Sequence, residues 1–472
     1  MIRRLSVFAL CFLAVAGCGA GPPGESSSDA ASADAASSDV ASAKFIQTFL
    51  VYYGGGPALV EGDEARLAKF DLLDIDRYRY NQIGINNLRG TWDSIRAVNP
   101  GIKIFLYQMG PEVSNYHDDQ DIAYLNGLGR YNVARNHSMG SLNGNQRGLF
   151  MRDASGARVY NYDYSDPSLG KYWYLMDFGS PEYTRYWLEA VEADIIRQPW
   201  VVDGVFVDGC STTNWGGYAT PAKYLNASVW STAMSGFVQA LVTGLQKSGQ
   251  KMWANRGQSN TQDGFNAWLA LDQSGNAPYV VMEEGAFAVA WGDGSDTQFY
   301  PEANWRRQVD ILGRIQNSRV AYLSHTDLGE NERGVDNYNR PVTFWQTMWY
   351  ALGSFLLGKD DTRGNAYFMF HGATGYSKIW WFEEYEKIDL GRATGPYQIL
   401  TMGGTNIYWR EFELGYIYVN PTANDVDDVA LPEPAMPVTH ENLHAPLSAV
   451  PDVTRIRLPA HHAAFVRKAS TI

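Results

Sequence analysis

Cysteine is scarce in this sequence, and the positions of the three cysteines exclude a fold held together by disulfides. Cys11 lies inside an apolar segment close to the N-terminus, Cys18 ends that segment, and Cys210 is the one cysteine in the remainder of the chain. A lone cysteine has no partner for an internal disulfide. Because no histidine stands near Cys210 in the sequence to activate its thiol, we interpret it as a small buried residue.

Clusters of basic residues are also missing beyond the first few positions. The formal net charge is −13, and no run of Lys or Arg follows Arg4. Binding to phosphate backbones requires clustered positive charge, so nucleic acid is not an expected partner. Aromatic residues are plentiful instead, at 14%, and the flat faces of Trp and Tyr can stack on sugar rings as well as fill a core.

The apolar run near the N-terminus, LSVFALCFLAVAG, is shorter than the roughly 20 residues of a membrane-spanning helix. It follows the charged start MIRR, as in a signal peptide. The tetrapeptide Val15-Ala16-Gly17-Cys18 resembles the lipobox of bacterial lipoproteins, whose cysteine is acylated. We therefore predict a signal peptide over residues 1–18 and a lipid on Cys18 that anchors the protein, outside the cytoplasm, to a bacterial membrane. An ordinary cleaved signal peptide is the alternative.

Residues 19–44 contain no large apolar residue before Val40, so we predict a flexible tether there. From residue 45 onward, eight short apolar runs alternate with helical stretches, which indicates parallel strands buried on both faces. Eight strands favour the α/β class and a closed (β/α)8 TIM barrel over residues 45–375. The alternative, an open doubly wound sheet, lacks the Gly-rich phosphate turn after its first strand. Residues 376–472 are predicted to form a small C-terminal antiparallel β-sandwich.

In such a barrel the functional residues follow the carboxyl ends of the strands. These positions carry acids, amides and aromatic residues and few lysines, which suits a neutral, polyhydroxylated substrate. The positions are Tyr52, Tyr53, Asp74, Asp76, Tyr107, Gln108, Asp208, Asn255, Arg256, Glu283, Glu284, His325, Asp327 and His371.

Two carboxyl groups at the barrel mouth would suffice to cleave a glycosidic bond, one as proton donor and one as nucleophile or base. Asp208 ends the fourth strand, within the stretch DGVFVDG, and Glu283 and Glu284 end the sixth. Neighbouring strand residues face opposite ways, so one of the two glutamates faces Asp208, and alternation alone leaves the choice between them open.

A metal site is the competing interpretation. His325 and Asp327 could be ligands, but the sequence has no HxH or HExxH spacing. GDGSD at residues 292–296 lacks the terminal glutamate of a calcium loop. We therefore expect no metal and no cofactor.

Several motifs in a fixed order resemble those of bacterial glycoside hydrolases with a (β/α)8 barrel and a C-terminal β domain, a group described as hypothetical glycosyl hydrolases. The motifs are GLFMRDASGARVYN, MDFGSPEYTRYW, VDGVFVDG, the strand-six Glu-Gly, REFELGYIYVNPT and LPAHHAAFV. The resemblance covers roughly residues 45–468. It implies Asp208 as nucleophile or base and Glu284, which precedes Gly285, as proton donor.

The resulting prediction is a monomeric glycoside hydrolase acting on a polysaccharide or oligosaccharide. The residues expected around the substrate are Tyr53, Asp76, Tyr107, Asn255 and Asp327. The long third connection, residues 110–171, is expected to wall a cleft for a long glycan. A glycan-binding lipoprotein without catalysis and a metal-dependent hydrolase are the alternatives.

Overall fold

The computed structural model describes residues 44–53, 59, 62–75, 85–114, 149–162, 165–169, 172–197, 201–214, 217–291, 294–446 and 449–469. Residues Ala43–Ile472 form one compact unit. The predicted signal, tether and lipid attachment site, including Cys18, lie outside the described residues. None of the helices in the described ranges combines the length and apolar character that a membrane crossing requires.

Eight parallel strands form one sheet, in the same order as along the chain. A parallel bridge between Thr48 and Phe368 joins the last strand to the segment before the first, so the sheet closes into a barrel. The predicted (β/α)8 barrel is therefore confirmed. Its strands are β1 (Phe49–Tyr52), β2 (Leu72–Ile75), β3 (Lys103–Met109), β4 (Gly204–Asp208), β5 (Lys251–Asn255), β6 (Val280–Glu284), β7 (Arg319–His325) and β8 (Ala366–His371).

Helices follow these strands along the chain. They are α1 (Asp63–Leu67), α2 (Ile85–Val98), α3 (Pro181–Val191), α4 (Ala227–Lys247), α5 (Gln262–Asp272), α6 (Glu302–Leu312), α7 (Phe344–Gly358) and α8 (Glu384–Lys387). The side chain of Ser180 accepts a hydrogen bond from the Glu182 amide and Pro181 opens α3, as the sequence indicates. A single π-helical turn, Glu192–Ile196, extends α3.

Short elements decorate the loops. The antiparallel pairs are Glu112–Ser114 with Trp173–Leu175, Ala288–Val289 with Gln298–Phe299, and Arg333–Val335 with Pro341–Thr343. Two 3₁₀ turns cover Pro167–Leu169 and Gly375–Ser377. The first pair belongs to the long third connection, whose residues 115–148 lie outside the described part of the chain.

The barrel interior is filled by a group of aromatic rings around Trp253. Its indole makes edge contacts with Phe49, Phe105 and Phe206, at centroid distances of 5.3, 5.5 and 5.1 Å. All four side chains are buried. Close-packed aromatic rings leave no room for water. The interior of the barrel is therefore dry and apolar below the carboxyl ends of its strands.

The C-terminal part is an antiparallel sheet of six strands with its own small core. The strands are β9 (Gln398–Met402), β10 (Thr405–Phe412), β11 (Gly415–Asn420), β12 (Val426–Val438), β13 (Val453–Leu458) and β14 (His462–Lys468), in the order β9-β10-β11-β14-β12-β13. The antiparallel C-terminal fold is therefore confirmed. Its six strands form one continuous sheet, in which β12 pairs with both β13 and β14, in place of the two sheets of the predicted sandwich.

Helix α7 packs between the barrel and this sheet. It is buried almost along its full length, which explains why its sequence is apolar on every face. Gly353 permits the close approach, because a Cβ added there would lie 2.6 Å from the methyl group of Ala463 on β14. The C-terminal sheet thus covers a barrel helix that solvent would otherwise contact.

Candidate active site

Asp208 ends β4 and receives three hydrogen bonds. Tyr107 Oη donates to Oδ2 at 2.8 Å, Asn255 Nδ2 donates to Oδ1 at 2.9 Å, and the Gly209 amide donates to Oδ1 at 2.7 Å. Gly209 adopts φ +72°, a left-handed conformation that glycine reaches without strain and that turns the chain directly after β4. Three donors stabilise the negative charge of Asp208.

Glu284 ends β6 and faces the same space. Asn255 Nδ2 donates to Oε2 at 2.7 Å, and Tyr376 Oη donates to Oε1. Burial raises the pKa of Glu284 to about 7, the negative charge of Asp208 adds to the rise, and the hydrogen bonds from Tyr376 and Asn255 oppose it. Glu284 is therefore protonated in a substantial fraction of molecules near neutral pH.

One amide group thus connects both acids. Asn255, at the end of β5, stands between β4 and β6, and its two amide hydrogens serve one carboxyl group each. Its side chain is 8% exposed, so the bridge is shielded from competing water. Asn255 keeps Asp208 and Glu284 side by side at the barrel mouth.

Glu283 has a different environment from its neighbour. It turns outward from the barrel and accepts hydrogen bonds from the backbone amides of Gln258, at 3.0 Å, and Ser259, at 2.7 Å. Burial raises its pKa to about 7, against the effect of these hydrogen bonds. Glu283 anchors the loop after β5 and does not contact Asp208, so the structure places Glu284 beside that acid.

Three tyrosines form one wall of the site. Tyr53 contacts Tyr107 edge to face at a centroid distance of 5.5 Å and Tyr376 at 4.9 Å. The Tyr53 amide also donates to the Tyr376 carbonyl at 2.9 Å, which ties the turn after β8 to the end of β1. Tyr107 and Tyr376 each donate to one of the two acids, so this wall orients the pair.

Other predicted site residues lie apart from this group. Asp76 lies outside the described residues. Asp327 is exposed on the loop after β7, and partial burial and the nearby Asp296 raise its pKa. The rings of His325 and His371 stack at 5.0 Å, and burial lowers the pKa of both, to about 4 for His371. Within the described ranges, no three His, Cys, Asp or Glu residues come together as metal ligands.

A cavity of about 640 Å³ opens above the acids. It is lined by residues that follow β3, β4, β5 and β6, including Glu112, Asp208, Glu284 and Trp291. Trp291 is 51% exposed, and its ring lies over Gly285, where an added Cβ would come within 2.6 Å of it. An exposed ring held this close to the backbone offers a firm apolar surface inside a polar cavity.

Sequence reasoning missed Tyr376, Glu112 and Trp291. Glu112 follows β3 by three residues, and that position at the carboxyl edge was the signal that could have identified it. Tyr376 and Trp291 follow their strands by five and seven residues, inside turns whose direction the sequence pattern does not reveal.

The chain belongs to the family described as hypothetical glycosyl hydrolase family 15 (GHL15), whose profile matches residues 96–416. The predicted resemblance is therefore confirmed. The matched segment contains Asp208, Asn255, Glu284 and Tyr376. Among curated proteins, none matches the chain significantly.

Solved structures are similar to this chain at low sequence identity, and two of them, with TM-scores of 0.50, share its fold. The glycoside hydrolase domain of PelA from Pseudomonas aeruginosa is 15% identical, covering 70% of this chain and 96% of that domain, with a TM-score of 0.39. An inactive double mutant of MutB is 11% identical. The match covers 89% of this chain and 99% of MutB, with a TM-score of 0.50. A mutant isomaltulose synthase from Erwinia rhapontici, in complex with sucrose, is 10% identical. The match covers 90% of this chain and 98% of the synthase, with a TM-score of 0.50.

The Tyr376 hydroxyl provides a direct test of the electrostatics of Glu284. Its hydrogen bond stabilises the ionised carboxylate, so Tyr376→Phe should raise the pKa of Glu284 further above its ordinary range. If protonated Glu284 is the active form, the activity that is lost as the pH rises through this pKa should persist to a higher pH. The measurement is the pH profile of kcat/KM, with the activity found in the glycan panel described below.

The matched control is Tyr416→Phe, which removes another Tyr–Glu hydrogen bond, 2.8 Å to Glu433, on the C-terminal sheet. It should leave the profile unchanged. If the alkaline limb of the kcat/KM profile of Tyr376→Phe stays in place or moves to lower pH, protonated Glu284 is not the active form.

Proposed function

We propose that the protein is a glycoside hydrolase that cleaves a polysaccharide or oligosaccharide with Asp208 and Glu284 as its two carboxyl groups. The observation that carries the proposal is the Asn255 amide, which holds these acids together at the mouth of the barrel. Membership of a glycosyl hydrolase family supports the substrate class. The common fold alone does not specify a reaction, so the argument rests on the geometry of the site.

The two acids have environments suited to different roles. The pKa of about 7 lets Glu284 donate a proton to the leaving oxygen near neutral pH. Asp208 accepts hydrogen bonds from Tyr107, Asn255 and the Gly209 amide, which fix its orientation at the end of β4 and suit a nucleophile. We therefore assign proton donation to Glu284 and attack on the sugar to Asp208.

The bridging amide also limits the separation of the acids. Because one nitrogen lies 2.9 Å from Asp208 Oδ1 and 2.7 Å from Glu284 Oε2, these oxygens are no farther apart than the sum of the two distances. That limit applies to the two nearest oxygens, and it is compatible with the roughly 5–5.5 Å between carboxyl groups of retaining glycosidases. We infer a covalent glycosyl intermediate on Asp208 and net retention of configuration.

The walls of the cavity support a sugar substrate. Trp291 presents a half-exposed indole to the cavity beside Glu284. The rings of Tyr53, Tyr107 and Tyr376 pack against one another next to the two acids. Flat rings bind the apolar faces of pyranoses, while the carboxyl and amide groups between them bind hydroxyls.

Asp208→Asn tests the proposal. The amide fills the same space but cannot attack a sugar, so turnover should fall at least about 1,000-fold while the fold stays intact. The assay is a panel of polysaccharides and oligosaccharides with product analysis, and circular dichroism checks the fold.

Asp203→Asn is the matched control, since Asp203 stands at the opposite end of β4 and pairs with Arg96 at 3.0 Å, away from the cavity. It should retain turnover. Normal glycan hydrolysis by Asp208→Asn would refute the catalytic pair. Glycan binding by the wild-type protein without any release of products would favour the non-catalytic, glycan-binding function.

We also propose that Cys18 carries a lipid that tethers the enzyme to a bacterial membrane, on the strength of the lipobox-like sequence. In cells fed a labelled fatty acid, the wild-type protein should be labelled and sediment with membranes. Cys18→Ser should lose both properties, and the control Cys210→Ser, at a buried position, should keep them. Equal labelling of wild type and Cys18→Ser would overturn the proposal.

A further inference from the structure

A third carboxyl group, that of Glu112, lines the same cavity as Asp208 and Glu284. It lies three residues beyond β3, at the start of the short strand Glu112–Ser114, which pairs with Trp173–Leu175. The side chain is only 4% exposed. Buried carboxylates are costly for a fold, so the contacts of this one require an explanation.

The two oxygens of Glu112 have different surroundings. Oε1 accepts hydrogen bonds from Asn161 Nδ2, at 3.0 Å, and from Tyr218 Oη. Oε2 is buried and has no hydrogen-bond partner among the residues that the structure describes. The carboxyl group is therefore held by one oxygen, while the other stays unpaired within the described part of the chain, in a residue that lines the cavity.

The groups that hold Glu112 are themselves fixed. The backbone amide of Asn161 donates to the backbone carbonyl of Trp173 at 2.8 Å, and Asn161 forms a β-bridge with Tyr218. The Tyr218 ring lies 6.0 Å from Trp230 of α4. A polar group positioned in advance by such supports loses little entropy when it binds a ligand.

Burial raises the pKa of Glu112 to about 7, the two hydrogen bonds oppose the rise, and the charge of Asp208 adds to it. The influence of Asp208 agrees with the shared cavity. Glu112 is not part of the hydrogen-bonded group around Asn255, which consists of the two acids and their tyrosines. Its position therefore suits recognition of the substrate better than reaction with it.

We propose that Oε2 of Glu112 accepts a hydrogen bond from a hydroxyl or N–H group of the sugar that occupies the cavity, and that Glu112 is a specificity-determining residue. This inference rests on the proposed glycosidase function and adds a contact to it. Glu112 follows β3 and Trp291 follows β6, and both line the same cavity.

Glu112→Gln tests the proposal with little change of shape. The amide oxygen can replace Oε1 opposite Tyr218 and Asn161, which leaves an NH₂ group where Oε2 stood and reverses the polarity at that point. The hydroxyl or N–H group of the sugar would then face the NH₂ group of the glutamine, and both groups are hydrogen-bond donors. We expect KM to rise about 10- to 100-fold for the glycan that the wild-type protein cleaves fastest, with a much smaller change in kcat.

A binding arm makes the test independent of turnover. Calorimetry with the same glycan compares Asp208→Asn alone with the double variant that also carries Glu112→Gln, and Kd should rise by the same factor as KM. If no panel glycan is cleaved, the binding arm is run with every glycan of the panel. Loss of binding in the double variant then supports the contact although the hydrolase proposal has failed.

The matched control is Glu384→Gln, a change at another buried carboxylate, which pairs with His440 at 2.7 Å outside the cavity. It should alter Tm but neither KM nor Kd. Unchanged KM and Kd in folded Glu112→Gln would overturn the inference and leave Glu112 with a purely structural role. Absence of glycan binding by both Asp208→Asn and the double variant would overturn the inference too.

If Glu112→Gln does not fold, Tyr218→Phe replaces it as the test. This variant removes one of the two hydrogen bonds to Oε1 of Glu112 and should raise KM, and an unchanged KM would contradict the proposal.

Discussion

Asn255 donates one hydrogen bond to each of two acids on either side of it, and the arrangement of the site depends on this amide. The barrel makes the contact possible, because β4, β5 and β6 are adjacent parallel strands whose last residues are Asp208, Asn255 and Glu284. Alternation of side chains along each strand turns these three inward together and sends Glu283 outward. A shift of β5 by one residue would remove the amide and leave two half-buried acids side by side without a common donor.

The floor below this group determines its electrostatics. Trp253 stands two residues before Asn255 on the same strand and packs against three phenylalanines, so water does not reach the acids from inside the barrel. The same packing therefore stabilises the fold and raises the pKa of Glu284. The hydrogen bonds from Tyr376 and Asn255 oppose that rise only in part, and the resulting pKa of about 7 lets Glu284 donate a proton near neutral pH.

Much of the fold could be predicted from the sequence, because buried parallel strands are short apolar runs with distinctive ends. The predicted number of eight barrel strands is confirmed, and the acid at the end of β4 and the glutamate pair of β6 were evident from the same pattern. The structure joins Asp208, Asn255, Glu284 and Tyr107 directly. Tyr376, Glu112 and Trp291 were missed because they reach the cavity from turns and a short hairpin, whose paths depend on tertiary contacts such as the Tyr53–Tyr376 backbone bond. Periodicity carries no information about such contacts.

The central claim is that a single amide holds the two acids at the distance of a double displacement. Proton NMR of the first sugar released from a glycan of known anomeric configuration tests it most directly, because the signal of the new reducing end is read before mutarotation. The account predicts that the product first appears with the configuration of the substrate. Initial appearance of the opposite anomer would show attack by water and would contradict the close pairing of Asp208 and Glu284.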